Sequence, residues 1–277
     1  MHPGPDDNYE LQFQGYLNTP HLLQGQEWPA FRLDHEGFLL PRDFAIPDKY
    51  RLGQRLEYYM EAALAQSAQY EILGKNIQVK HNKQTIGELD FVLKDTVEHH
   101  YIHLEMAYKF YLFDPSVSPV ADACWIGDNR RDSLLKKLNK LRDKQFPLIY
   151  SDMAFAERQK MDIALDALRQ ECSFKAQLFL PADMDGFPDG SCNPDCLVGH
   201  WYTLDGFKRL MQEREGFYLP KKNDWVIDPA VQKCGVKWHP DVDVLSWVAK
   251  TIDHSGSKLF WSIDGDQNLY RDVVVWW

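Results

Sequence analysis

Charged residues occupy positions in residues 85–113 where two predicted strands would favour apolar side chains. Glu88 and Asp90 lie two apart in the first strand, and Glu105 and Lys109 lie four apart in the second. Successive side chains of a strand point to opposite faces, so each of these two pairs shares a face. If the strands pair antiparallel, Asp90 and Glu105 meet at one spot and Lys109 lies further along the same row.

The chemistry that such a row favours is metal binding. Neighbouring carboxylates repel each other and are costly to desolvate unless a cation joins them. Oxygen ligands suit a hard divalent cation, so we expect Mg²⁺ or Mn²⁺ at Asp90 and Glu105. The structural alternative is a cross-strand ion pair between Asp90 and Lys109 on an exposed sheet face. His103 shares the Glu105 face, where it either approaches the metal or is an ordinary hydrogen-bonded strand histidine.

The elements that must position these residues follow from hydrophobic periodicity. Apolar residues recur every three or four positions in residues 51–68, which predicts a helix that carries Glu57 and Glu61 on one side. The period then changes to two, and short turns between the segments predict an antiparallel meander with strands at 70–80, 85–95 and 101–113. Further along the chain we expect helices over 129–145 and around 155–171, and a strand at 174–181.

The remaining segments predict additions to this core. Residues 1–50, rich in Pro, Asp, Gln and Gly, are expected to form an N-terminal extension that packs on a core at 51–181. A turn-rich stretch then leads into a C-terminal α/β elaboration of the same domain at 182–277. In this elaboration we expect a helix near 203–214, a short strand at 225–227, a helix near 242–252 and a terminal hairpin.

The charge of the chain restricts how it could contact nucleic acid. A formal net charge of −10 and a pI of about 5.4 exclude a protein that is basic overall, so any contact must come from a local patch. The predicted helix at 129–145 carries such a patch, and we expect phosphate contacts from Arg130, Arg131, Lys137, Lys140 and Lys144. The alternative is an amphipathic helix whose basic residues form a solvated face.

The cysteine pattern indicates reduced thiols, because five is an odd number and too few for a disulfide framework in 277 residues. The N-terminus has no secretory signal pattern and no stretch is apolar enough to span a membrane, so we expect a cytoplasmic protein without a membrane partner. Cys192, Cys196 and His200, with Cys234 or His239 as a fourth ligand, give a zinc hypothesis against buried or incidental thiols. No phosphate-binding glycine loop or dinucleotide fingerprint is present, so no nucleotide cofactor is expected.

The order of these features resembles the PD-(D/E)XK nuclease-like superfamily. A helix with Glu57 precedes a meander with Asp90 on its second strand and Glu105 and Lys109 on its third, and a helix and a strand follow. This resemblance covers residues 51–181 and implies a restriction-endonuclease-like α/β core. More narrowly, "RLGQRLE", "GELDF", "HLEMAYKFYL" and "GDNRRDSLLKKLNKL" are similar to a bacterial family known as domain of unknown function 1853.

The sequence departs from the superfamily pattern at the lysine. That pattern places Lys two residues after the acidic residue, a position that Ala107 occupies in this chain. Lys109 keeps the same face but lies about 6.6 Å further along the strand. The narrower family is similar in carrying this shifted lysine, which marks a variant form of the site.

The resemblance implies a divalent-metal-dependent nuclease that hydrolyses phosphodiesters of DNA or RNA. In that role Asp90, Glu105 and the carbonyl of Met106 hold Mg²⁺ or Mn²⁺. Glu57 reaches in from its helix, directly or through water, and Lys109 orients the attacking water or stabilises charge on the phosphate. Two alternatives stay open: Glu57 can lie on a solvated helix face, and the chain can be a catalytically inactive nuclease fold that binds nucleic acid or a protein partner.

Overall fold

In a computed structural model the chain is a mixed α/β protein with a large, mostly antiparallel sheet. The structure describes residues 8–24, 28–232, 235–252 and 256–277. Its strands are β1 (Tyr70–His81), β2 (Gln84–Asp95), β3 (His100–Phe113), β4 (Trp125–Gly127), β5 (Leu168–Pro181), β6 (Leu197–Tyr202), β7 (Gly216–Tyr218), β8 (Lys258–Ile263) and β9 (Leu269–Val274). Its α-helices are α1 (Tyr9–Asn18), α2 (Leu52–Leu64), α3 (Ala121–Cys124), α4 (Leu134–Lys140), α5 (Phe146–Leu148), α6 (Phe155–Lys160), α7 (Leu204–Leu210), α8 (Pro229–Gln232) and α9 (Asp241–Thr251).

These elements fall into two compact units. The central unit comprises His21–Tyr108 and Leu135–Lys175, and the terminal unit comprises Met1–Pro20, Lys109–Leu134 and Ala176–Trp277. Strands β3 and β5 each contribute residues to both units, because the division falls after Tyr108 and after Lys175. Asp90 and Glu105 therefore belong to the central unit, and Lys109 belongs to the terminal unit.

The predicted three-stranded meander is confirmed in the central unit. β2 pairs antiparallel with β1 on one side and with β3 on the other. Asn82 and Lys83 join β1 to β2 with φ of 49° and 69°, and two such positive values define the two-residue turn that matches strand twist. Leu89 of β2 is fully buried and belongs to a core cluster with Leu148 and Leu168.

The helix predicted at 51–68 is also confirmed, and α2 ends at Leu64. This helix buries Leu56, Tyr59 and Ala63 on one side. Glu57 is half-buried, so it does not lie on a fully solvated helix face. Helix α2 therefore contributes apolar side chains to the core and places the Glu57 carboxylate at the edge of that core.

The helix predicted over 129–145 is shorter than expected. α4 begins only at Leu134, because Arg130 adopts a φ of 59° and Ser133 forms a β-bridge with Ile126. Arg130 and Arg131 therefore lie in a turn before the helix. After α4 the chain continues as a π-helical turn, Leu141–Gln145.

The helix predicted around 155–171 is wrong in its second half. α6 ends at Lys160, and Asp162, with a φ of 52°, turns the chain out of the helix. β5 then begins at Leu168, well before the strand predicted at 174–181. The strand prediction at 174–181 is therefore confirmed and only its start is wrong: residues 168–173 (LRQECS) are mostly polar and show no apolar run by which a strand is recognised.

In the terminal unit β6 pairs parallel with β5 and with β9, and the predicted terminal hairpin is confirmed as the antiparallel pair β8–β9. The predicted helices near 203–214 and 242–252 correspond to α7 and α9. The strand predicted at 225–227 is wrong, because Lys222–Val226 forms a 3₁₀-helix and three apolar residues are too few to show a period. Phe207, Phe217 and Phe260 are fully buried in the core of this unit.

Within the described ranges, no helix has both the length and the apolar character needed to cross a membrane. The four cysteines for which the structure gives a position, Cys124, Cys172, Cys192 and Cys196, are free thiols and are buried.

Candidate carboxylate site

Asp90 and Glu105 meet in the central unit, as the strand pairing predicts. The register of β2 and β3 continues from the pair Phe91 and Leu104, so the two acidic residues lie opposite each other. The Asp90 carboxylate accepts a hydrogen bond from the backbone N–H of Met106 at 2.8 Å.

Burial determines the charge state of this pair. The Glu105 side chain is 0% exposed. Desolvation, followed by the neighbouring charge of Glu105, raises the pKa of Asp90 to about 7. Desolvation likewise raises the pKa of Glu105 to about 7, against the opposing charges of Lys137 and Lys140. Two adjacent carboxyls of this kind retain a shared proton near neutral pH unless a cation replaces it.

His103 holds one side of the Glu105 carboxyl. Its Nε2 lies 3.0 Å from Glu105 Oε1, and its Nδ1 lies 3.4 Å from Nε2 of Gln170. The Gln170 amide also donates to the carbonyl of Phe146, so its nitrogen faces His103 and the Nδ1 of His103 must accept. The proton of the neutral ring is therefore on Nε2, which donates to Glu105. Burial lowers the pKa of His103 to about 4, which keeps the ring neutral at ordinary pH.

Gln145 holds the other side of the same carboxyl. Its Nε2 donates to Glu105 Oε2, and its Oε1 accepts a hydrogen bond from Lys137 Nζ at 2.9 Å. Gln145 ends the π turn that follows α4, and it lies eight residues after Lys137. In a regular α-helix, residues eight apart differ by about 80° around the axis, and residues seven apart differ by about 20°. A π turn contains one more residue than an α turn. The side chain of Gln145 therefore points to the same side of the helix as Lys137, as a residue seven positions later would in a regular α-helix.

Glu57 joins the acidic row through Asn76. The Asn76 side chain donates to Glu57 Oε2 at 3.1 Å, and Asn76 lies opposite Asp90 in the register of β1 with β2. Asn76 adopts a φ of 50°, a left-handed conformation that asparagine tolerates better than most residues. Burial raises the pKa of Glu57, and the charge of Asp90 contributes to this rise. Glu57 is thus electrostatically coupled to Asp90, and its predicted role at a metal stays a prediction.

Lys109 and Arg130 have acidic partners in the terminal unit. Lys109 Nζ forms an ion pair with Asp132 at 2.6 Å. The alternative of a cross-strand ion pair between Asp90 and Lys109 is therefore wrong, because the lysine pairs with Asp132. Arg130 pairs with Asp114 at 2.8 Å and stacks over the ring of Trp277 at 4.1 Å.

The residues predicted to bind phosphate are divided between the two units. Lys137, Lys140 and Lys144 belong to the central unit, and Arg130 and Arg131 belong to the terminal unit. Lys140 and Lys144 are exposed, whereas Lys137 is half-buried and bonded to Gln145. The lysines of the central unit follow a helix and its π turn, so they do not form the single stripe expected of one regular helix.

The donors of the carboxylate pair fit a magnesium-like ion. Mg²⁺ is usually held by one or two carboxylates and completes its shell with water and substrate phosphates. Asp90 and Glu105 supply two carboxyls with raised pKa values, and a divalent cation would stabilise their charged forms. Among the residues that the structure places, no three or more His, Cys, Asp or Glu side chains are arranged to hold a metal ion. The described residues around Cys192 and Cys196 therefore give no support to the zinc hypothesis. Cys234 lies outside the described residues.

Three residues of this site were not predicted from the sequence: Asn76, Gln145 and Gln170. Asparagine is depleted in strands, so Asn76 within a predicted strand is the one signal that could have been used. Gln145 lies forty residues from Glu105 along the chain, and no local pattern links them.

The family model described as "Domain of unknown function (DUF1853)" matches residues 12–270 of the chain. No curated protein and no solved structure matches the chain. The matched range includes every residue of the carboxylate site.

Proposed function

The chain belongs to the family described as a domain of unknown function, DUF1853, and we propose that it is a divalent-metal-dependent nuclease on a restriction-endonuclease-like core. The observation that supports this proposal is the meeting of a half-buried Asp90 and a fully buried Glu105 on adjacent strands, both with raised pKa values. The order of elements in the central unit, from α2 through the meander to α4 and β5, is compatible with that core. A buried acidic pair of this kind is costly to keep, and function is the usual reason for such a cost.

In the proposed site Asp90, Glu105 and the carbonyl of Met106 hold Mg²⁺ or Mn²⁺. When bound, such an ion polarises a phosphoryl oxygen and lowers the pKa of attached water. His103 keeps the Glu105 carboxylate in place by its hydrogen bond, and Glu57 can take up a proton because its pKa is raised. In the overall reaction water adds to phosphorus and one P–O ester bond breaks. The proton of the water ends on the departing oxygen.

Nucleic acid is the proposed substrate because exposed lysines lie close in sequence to a residue of the site. Lys140 and Lys144 follow Lys137, which contacts the site through Gln145. Positive side chains of this kind bind the phosphates of DNA or RNA without reading their sequence. The cytoplasm is the proposed location, because the described cysteines are free thiols.

The proposal is tested with single- and double-stranded DNA and RNA, with Mg²⁺ or Mn²⁺. We expect cleavage that Asp90→Asn reduces by at least about 100-fold, because a neutral amide supplies no negative charge and binds a divalent cation more weakly than a carboxylate does. Glu88→Gln is the matched control, since Glu88 also lies on β2 and is half-buried but is not part of the pair. No cleavage of any of the four substrates, or cleavage that Asp90→Asn leaves unchanged, would sink the proposal.

A catalytically inactive nuclease fold that binds nucleic acid or a protein partner is the second candidate. The ion pair between Lys109 and Asp132 favours it, because the lysine expected to act on water already has an acidic partner. Under this alternative the wild type binds nucleic acid but does not cleave it, and Asp90→Asn binds with the same affinity. If the wild type neither cleaves nor binds nucleic acid, the remaining alternative is an inactive fold that binds a protein partner.

A further inference from the structure

Two lysines are candidates for the positive charge of the carboxylate site. Lys109 is the lysine that the strand pattern indicates, and its ammonium is ion-paired with Asp132 in the terminal unit. Lys137 lies on α4 in the central unit, and its ammonium donates to Gln145, which in turn donates to Glu105. Only the second lysine is linked by described hydrogen bonds to a residue of the acidic pair.

The geometry of this link is specific to one position of the helix. Lys137 is half-buried, which places it on the inner side of α4, whereas Lys136 and Lys140 are exposed. The π turn brings Gln145 to the same side of the helix as Lys137. Gln145 can then accept from Lys137 and donate to Glu105 through the two ends of one amide.

The electrostatics of the pair agree with this geometry. Both carboxyls owe their raised pKa values to burial first, and the charge of Lys137 opposes the rise at Asp90 and at Glu105. Lys140 opposes it at Glu105 as well, after Lys137.

We propose that Lys137, not Lys109, supplies the positive charge of this site and, through Gln145, orients the Glu105 carboxylate. The inference rests on the proposed function as far as catalysis is concerned. Lys137 acts as a positioning residue: its charge is fixed beside the place where a phosphate gains negative charge, and its hydrogen bond fixes the amide that holds Glu105. Lysine suits this role because its long stem delivers a compact charge from a neighbouring helix.

The first measurement is the rate of metal-dependent cleavage. Lys137→Met is expected to lower the rate by about 100-fold, since it removes the charge and the hydrogen bond while keeping the apolar stem. Lys137→Arg keeps the charge and is expected to recover part of the rate. Lys136→Met is the matched control on the same helix, and its rate should equal that of the wild type. Full activity of Lys137→Met, or a loss confined to Lys109→Met, overturns the inference.

The second measurement is Mn²⁺ affinity without nucleic acid, by isothermal titration calorimetry. Removing a positive charge beside the metal ligands is expected to tighten Mn²⁺ binding of Lys137→Met by roughly fivefold. Lys109→Met and Lys136→Met should bind Mn²⁺ as the wild type does. Equal affinities for the wild type and Lys137→Met, or weaker binding by Lys137→Met, contradict the inference.

The two measurements separate the inference from the proposed function. If the wild type cleaves no nucleic acid but Lys137→Met alone tightens Mn²⁺ binding, the nuclease proposal fails and the assignment of Lys137 stands. If cleavage is present and only Lys109→Met loses it, the nuclease proposal stands and the assignment of Lys137 fails. If neither the wild type nor Lys137→Met binds Mn²⁺, both are wrong.

Discussion

At the scale of single residues, the fold places Asp90 and Glu105 where ionisation of both is costly. Desolvation raises both pKa values, and the charge of Glu105 raises that of Asp90 further. His103 and Gln145 hold Glu105 by hydrogen bonds from neutral groups, which fix its direction without neutralising its charge. The pair therefore lowers the stability of the free protein at high pH, and a bound cation would reverse this effect.

The pH dependence of stability tests this electrostatic conflict. The pKa of Asp90 is raised from 3.8 to about 7, so its contribution to stability is complete below about pH 4 and is lost as the pH rises through 7. In metal-free buffer, the free energy of unfolding of the wild type should fall by an amount on the order of 3 kcal/mol more than that of Asp90→Asn between pH 4 and pH 8. Urea denaturation at the two pH values measures both proteins.

The control for this prediction is Glu88→Gln, which removes a carboxylate from the same strand and leaves the pair intact. Its unfolding free energy should decline with pH as that of the wild type does. If Asp90→Asn declines just as steeply as the wild type, the two carboxyls are not held as a buried pair.

At the scale of elements, the π turn after α4 is the feature that aligns the site. Lys137 lies on the α-helical part and Gln145 at the end of the π turn, and the extra residue between them brings both to one side. Asp143 and Arg142, within the turn, are exposed and pair with each other. The additional residue is therefore accommodated toward solvent.

Changing the length of this turn tests whether the alignment of Lys137 with Gln145 along the helix matters for cleavage. Deletion of Asp143 should convert the π turn into an α turn and leave Lys137 and Gln145 seven residues apart, still on one side, so cleavage should stay within about threefold of the wild type. Insertion of one alanine after Asp143 should place them nine residues apart, which with the π turn is equivalent to eight and about 80° around the axis, and lower the rate by at least about tenfold. Cleavage assays on both variants, with thermal unfolding as a check of folding, measure this difference. Equal losses in the deletion and the insertion would show that alignment along the helix does not matter.

At the scale of the whole molecule, charge is distributed unevenly. The chain carries a formal net charge of −10, and yet exposed lysines lie on the helix and turn next to the carboxylate site. A polyanion is repelled by the protein as a whole, so its binding must depend on a few local contacts. The affinity for nucleic acid should therefore depend steeply on salt and on single lysines.

Charge reversal at one lysine tests this expectation. Lys140→Glu should weaken the binding of nucleic acid and reduce the slope of log affinity against log salt by about one. Lys94→Glu, at an exposed position of β2, changes the net charge equally and should have a much smaller effect. Fluorescence anisotropy at several salt concentrations, in Mg²⁺-free buffer, measures both variants. Equal effects of the two reversals would place the nucleic-acid contact elsewhere.

The parts of the fold that the sequence predicted are those that depend on local pattern. The three strands of the meander, the helix at α2 and the terminal hairpin follow from side-chain period and short turns. The prediction failed where the local sequence is mostly polar, as at the start of β5 in residues 168–173. It also failed where one backbone angle ends a helix, as at Asp162 and Arg130 with their positive φ.

The sequence by itself placed Asp90 and Glu105 on one face of neighbouring strands, because side chains alternate along β2 and β3, and the observed register then puts them opposite each other. Only the tertiary structure decided which lysine accompanies the pair. The link from Lys137 through Gln145 to Glu105 spans distant parts of the chain and depends on one extra residue in a helical turn. Lys109, which the strand pattern indicates, is instead held by Asp132. Alternation is a local property of a strand, whereas the direction of a helical side chain toward a sheet depends on how the helix packs.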